Sequence, residues 1–162
     1  MIIHFLKNYE DYKRKGLGPK IARFGIPSGL NEEEIVDMEL ALNGAKPFPQ
    51  TLREYLYIGG DFNCISMNEG GKNIPKASLY FRTELGKRGF DISRPIVMVH
   101  IFEGKCGTFI YLDEGDDPKP WNCSISPAYD TDEGEMIWDA PYDSFSHMID
   151  VHIEHSLKGI PF

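Results

Sequence analysis

The feature that most constrains this fold is a change in hydrophobic period near residue 95. Before it, apolar residues recur at helical spacing between Pro and Gly breaks. After it, short β-rich runs are separated by turn-prone loops. A chain that completes its helices before starting its strands points to an α+β domain with helices segregated to one side of an antiparallel sheet.

The helical half carries its own boundaries. Asn31 is an N-cap: its side chain can accept from a backbone N–H two or three residues on, with Glu34 at the capping-box position. Glu32, Glu33 and Glu34 place negative charge at the positive end of the helix dipole. Ile35, Met38 and Leu42 follow at helical spacing, and Asn43-Gly44 ends the run. In PFPQTLREYLYIGGDFN (47–63), Pro49 suits a first turn, and Leu52, Tyr55, Leu56 and Ile58 form a stripe with Arg53 and Glu54 facing water. Gly59 is expected at the left-handed position after the helix, with Gly60 turning the chain away. These two helices, joined by GAKPFP, form a hairpin. A third helix is expected over PKASLYFRTELGKRG, with Leu79, Arg82 and Leu85 spaced by three.

In the second half, IVMVHIFE (96–103) and TFIYLD (108–113) flank the EGKCG turn and read as a β-hairpin. WNCSIS (121–126) and EMIWDA (135–140) extend it to a meander through the acidic loops DEGDDPKP and PAYDTDEG. A closing helix starts near Asp143, with Phe145, Met148, Ile149, Ile153 and Leu157 on one face until Gly159. No repeat, low-complexity segment or linker divides the 162 residues, so one domain over 1–162 is expected.

Composition narrows the function classes. No apolar run approaches the ~20 residues of a membrane-spanning helix, and MIIHFLKNYEDYKRKG lacks the parts of a signal peptide. Cys64, Cys106 and Cys123 form no CxxC pair, as expected of free thiols in a reducing cytoplasm. The NCS triplet at Asn122 then has no role as a sequon. The net charge of −8 is concentrated: Glu103 to Asp143 holds eleven acidic residues against Lys105 and Lys119, leaving the rest of the chain at +1. Phosphates would be repelled by such a segment and a basic partner attracted, which argues against nucleic acid.

The order of these elements, with the words GLNEEEIVDMELALNGAKPFP, LREYLYIGGDFN, FIYLDEGDDPKPW and YDSFSHMIDVHI, resembles the SUKH superfamily over residues 26–155. That group contains the yeast cell-wall regulator of Smi/Knr type and many bacterial immunity proteins. The long insert around ASLYFRTELGKRGF departs from its shortest members. The resemblance implies a non-enzymatic cytoplasmic protein that binds and occludes a cognate polymorphic toxin, often a nuclease, without a cofactor or catalytic residues. An intracellular adaptor of the same fold is the alternative, and a metal-dependent hydrolase the third reading.

The charge map fits such a partner, because an acidic patch facing a basic toxin raises association rates by ~10–10³-fold. The expected binding set is Asp113, Glu114, Asp116, Asp117, Asp130, Asp132 and Glu133, with Trp121, Tyr129 and Trp138 as candidate desolvated anchors. Trp138, in a strand, is expected in the core rather than at the interface. Acidic turn residues are also commonly just solvated loop positions, which is the plain alternative.

Rival chemistry is thin. His147, Asp150, His152 and His155 share a helix, and His152 and His155, three apart, could share a face, whereas His147, five from His152, points elsewhere; HExxH is absent. Cys106, expected in a turn with His100 six positions earlier, lacks an orienting group. EGGKN (69–73) lacks a phosphate-loop frame and reads as a connection. The basic stretches YKRKG (12–16) and GKRG (86–89) read as solubilising surface.

Overall fold

A computed structural model describes residues 1–16, 28–60 and 73–160. Cys64 and most of EGGKN lie outside the described residues. Four helices, α1 (Lys7–Arg14), α2 (Glu32–Asn43), α3 (Gln50–Gly59) and α4 (Ile74–Lys87), precede four strands, β1 (Ile96–Phe102), β2 (Cys106–Tyr111), β3 (Pro120–Ser124) and β4 (Ile137–Asp139). A 3₁₀ turn at Pro127–Tyr129 interrupts the last connection, and α5 (Phe145–Lys158) closes the chain. The strands form one antiparallel sheet in the order β1-β2-β3-β4, so the domain is α+β with N-terminal helices and a C-terminal helix.

The local signals act as their chemistry requires. Asn31 and Glu34 form a complete capping box: the Asn31 side chain accepts from the Glu34 N–H at 3.0 Å, and the Glu34 carboxylate accepts from the Asn31 N–H at 2.8 Å. Leu52, Tyr55 and Leu56 of α3 pack in a core with Val97, Val99, Ile110 and Leu112 of the sheet side and Phe145, Met148 and Ile149 of α5. Each large side chain so buried stabilises the fold by about 1.5–3 kcal/mol.

Five local expectations are corrected. Glu54 does not face water but is fully buried, and Arg53 is half-buried against a buried Glu39 at 2.7 Å. Gly59 is the last residue of α3, and it is Gly60 that takes the positive φ of 76°. The inward stripe of α4 is Ile74, Ala77, Phe81 and Leu85, while Leu79 is 68% exposed. Leu157 likewise leaves the buried face of α5. α1, which sequence reading missed, hides its stripe of Tyr9 and Tyr12 among charges.

The helices are not all on one side. Ala77, Phe81 and Leu85 of α4 pack with Ile96, Met98, Phe109 and Cys123, whereas Val97, Val99 and Ile110 pack with the other helices. Alternation along the strands therefore buries both faces. A register shift between Met98 and His100 leaves His100 facing α5, its ring centroid 5.9 Å from that of His152. α4 also covers the free edge of β1, where the Met98 N–H donates to Ser78 Oγ at 2.9 Å.

Candidate functional site

The two acidic loops lie at opposite ends of the sheet. Ile110 pairs with Pro120 and Cys106 with Ser124, so residues 112–119 leave one end and residues 125–136 the other. Successive connections of an antiparallel meander must alternate ends. The single patch expected from the charge count is thus divided.

Much of its charge is also engaged within the chain. Arg94 reaches Asp113 at 2.5 Å and Glu114 at 3.0 Å, and its guanidinium holds the Asp113 carboxyl below the usual range. Arg88 grips Asp130 through two hydrogen bonds of 2.9 and 2.5 Å and donates a third to the Ser124 carbonyl at 3.1 Å. The Asp130 carboxyl is lowered by that side-chain hydrogen bond. GKRG is therefore not merely solubilising surface: its arginine clamps the β3–β4 connection to the end of α4.

Residues 116–118 serve the two helices that start beside them. The Asp116 carbonyl accepts from the Thr51 N–H at 2.9 Å and the Thr51 hydroxyl at 2.8 Å. The Asp117 carboxylate accepts from the Ser146 N–H at 2.9 Å and the Ser146 hydroxyl at 2.6 Å, and the Pro118 carbonyl accepts from the Phe145 N–H at 2.8 Å. These are orphan donors at helix N-termini, where a carboxylate is also favoured by the dipole. Replacing Asp117 by Ala is expected to cost about 1 kcal/mol, lowering Tm by roughly 2–4 °C in a thermal melt. Partner capture is expected to be unaffected.

The aromatic residues separate in the same way. Trp121 lies on the α4 side in a partly exposed row: its ring is 6.2 Å from Tyr111, Arg94 sits 3.8 Å over Tyr111, and Lys119 lies 5.4 Å from Trp121. The Trp121 Nε1 is buried and meets no acceptor among the described residues. Tyr129 is at the other end, donating to the Glu103 carboxylate with Lys105 over its ring at 5.4 Å. Trp138, expected in the core, is only partly buried and pairs opposite Asn122.

Asp132 and Glu133 are exposed, and with Glu135, Asp139 and Asp143 they flank β4. Among the described residues no Lys or Arg reaches Asp132, Glu133, Glu135 or Asp143, and Asp139 alone of the five has one, Lys119 at 2.9 Å. The chain from Pro120 to Leu157 contains no Lys or Arg at all. Glu135, Asp139 and Asp143 were not singled out by sequence reading; this long gap in basic residues was the available signal.

Among the described residues the rival constellations are not brought together. His152 is buried with its Nε2 3.3 Å from the Tyr142 hydroxyl, His147 Nδ1 accepts from the Asp143 N–H at 3.3 Å, and Asp150 accepts from Asn8 at 3.1 Å. Among the described residues no group of three or more His, Cys, Asp or Glu is arranged to hold a metal. Cys106 opens β2 rather than sitting in the turn, with its thiol 3.8 Å from the Phe102 carbonyl, and burial pushes the Cys123 thiol up. No described helix is long and apolar enough to cross a membrane.

No family model, curated protein or solved structure matches the chain.

Proposed function

We propose that this chain is a non-enzymatic protein-binding domain of the immunity type, capturing a basic toxin domain stoichiometrically and covering its working surface. The partner class is what the resemblance to the SUKH superfamily implies. The observation that carries the reading is the row of carboxylates flanking β4, of which Asp132, Glu133, Glu135 and Asp143 meet no Lys or Arg among the described residues, while Asp113, Glu114 and Asp130 are paired with arginines and Asp139 with Lys119. The binding set therefore moves from the whole acidic segment to Asp132, Glu133, Glu135 and Asp143. Such a row steers a positively charged protein during encounter, and Trp138 beside it offers the desolvated anchor that charge does not supply.

The test is to sequence the neighbouring genes and co-express the chain with the basic toxin domain the reading expects among them. The wild type should restore growth and form a 1:1 complex. Reversing Asp132, Glu133 and Glu135 to Lys should slow association by ~10–10²-fold and flatten its salt dependence in stopped-flow measurements. Absence of a complex with the wild type would overturn the proposal, as would an unchanged rate in the triple variant.

A further inference from the structure

The two edges of the sheet are finished differently. On β1, α4 supplies Ser78 to the outward Met98 N–H. On β4 the phase of pairing decides what is left over. The Ser124 N–H donates to the Met136 carbonyl at 2.8 Å, so Met136 and, by alternation, Trp138 turn their backbone groups towards β3. Ile137 and Asp139 then turn theirs outward. Glu135 also points outward but is already engaged: its N–H donates to Thr131 Oγ1 at 3.0 Å and its carbonyl accepts from the Thr131 N–H at 3.1 Å. No such bond reaches the backbone of Ile137 or Asp139 among the described residues. The open edge starts at Ile137 and stops before Pro141.

We infer that this edge of β4 takes an extended, basic strand of the partner protein by backbone pairing at Ile137 and Asp139. The inference rests on the protein-binding reading above and names its mode. Main-chain hydrogen bonds at an open edge give affinity for any strand, and flanking side chains select among strands. Here three carboxylates line the edge, Glu135 before it, Asp139 on it and Asp143 beyond it, against one lysine, Lys119, which lies 2.9 Å from Asp139. A second copy of this chain would bring Glu135 and Asp139 against acidic residues of its own kind, and like charges across a strand pair repel. A strand alternating Lys or Arg with apolar residues meets the opposite situation. The same acids that blunt self-association thus admit a basic partner.

The probe is an alternating lysine–valine hexapeptide added to the full, isotope-labelled chain. Binding should slow amide exchange at Ile137 and Asp139 by about tenfold at saturation. A copy N-methylated on alternate backbone nitrogens and a glutamate–valine copy should not bind. Asp139→Pro removes an outward donor without removing a bond to β3, so it should abolish binding, whereas Asp139→Asn keeps the N–H and should retain most of it. Equal binding of the N-methylated or acidic peptide, or no protection at these two amides, would overturn the inference. Should Asp139→Pro lose its fold by circular dichroism, the N-methylated peptide on the wild type still decides. Capture of the toxin domain by a folded Asp139→Pro variant at wild-type affinity would overturn edge pairing and leave the immunity function standing. Peptide protection at the edge without toxin capture would do the reverse.

Discussion

Replacing Glu54 by Ala is expected to lower stability by about 3–5 kcal/mol, a large part of the ~5–15 kcal/mol available to a domain. The side chain is fully buried in α3, yet its carboxylate works on another element. It accepts the backbone N–H of His4 at 2.8 Å and those of Phe5 and Leu6 at 2.9 Å, and Gln50 Nε2 adds a fourth bond at 3.1 Å. Leu6 is the N-cap of α1 and has no side chain to satisfy the orphan donors there. Truncation leaves three N–H groups without the acceptor they were built around. α1 would then loosen from α5, where Tyr12 meets Ser156 at 2.6 Å. Glu54→Gln keeps one acceptor oxygen and should cost about half as much. Urea unfolding reads both: the midpoint should fall with little change in slope. A loss under ~1 kcal/mol for Ala would show that the carboxylate does not organise this terminus.

The second large effect concerns the pair of chain segments that meet at the end of α3. A Cβ on Gly29 would lie 1.6 Å from the Tyr57 carbonyl oxygen, and one on Gly60 would lie 2.4 Å from the Ser28 carbonyl oxygen. Between them the Leu56 carbonyl accepts from both the Leu30 and Gly60 N–H groups, at 2.9 and 2.8 Å. The obstruction is backbone on backbone, so no rotamer change relieves it. Gly29→Ala is expected to cost about 3 kcal/mol or more, a fall in Tm on the order of 10 °C by calorimetry. Gly86→Ala is the control: it sits in α4 with nothing within 4 Å, and Ala there should raise stability by about 0.5–1 kcal/mol. Equal effects at Gly29 and Gly86 would contradict the close approach.

The split of the acidic segment shows how composition can mislead about a surface. Counted along the chain, residues 103–143 own the negative charge, and Arg88 and Arg94 belong to a different, nearly neutral stretch. Folding brings Arg88 to Asp130 and Arg94 to Asp113, converting candidate binding residues into internal ties. Asp132, Glu133, Glu135 and Asp143 remain because the chain from Pro120 to Leu157 contains no Lys or Arg and, among the described residues, folding brings none to them from elsewhere. The same contrast applies to α3, where Glu54 follows Arg53 in a polar pair that periodicity assigns to water. A buried carboxylate is legible only when its donors are known, and those are some fifty residues away.

What this sequence determined by itself were the features governed by neighbours within a turn or two. The Asn31–Glu34 cap, the end of α2, the strand periods and the antiparallel order are each written in a few adjacent residues. Tertiary structure alone decided which carboxylates stay available, which face of the sheet α4 covers and which edge is left open. Those outcomes depend on contacts between residues tens of positions apart, and neither propensity nor charge counting carries the distance between such residues.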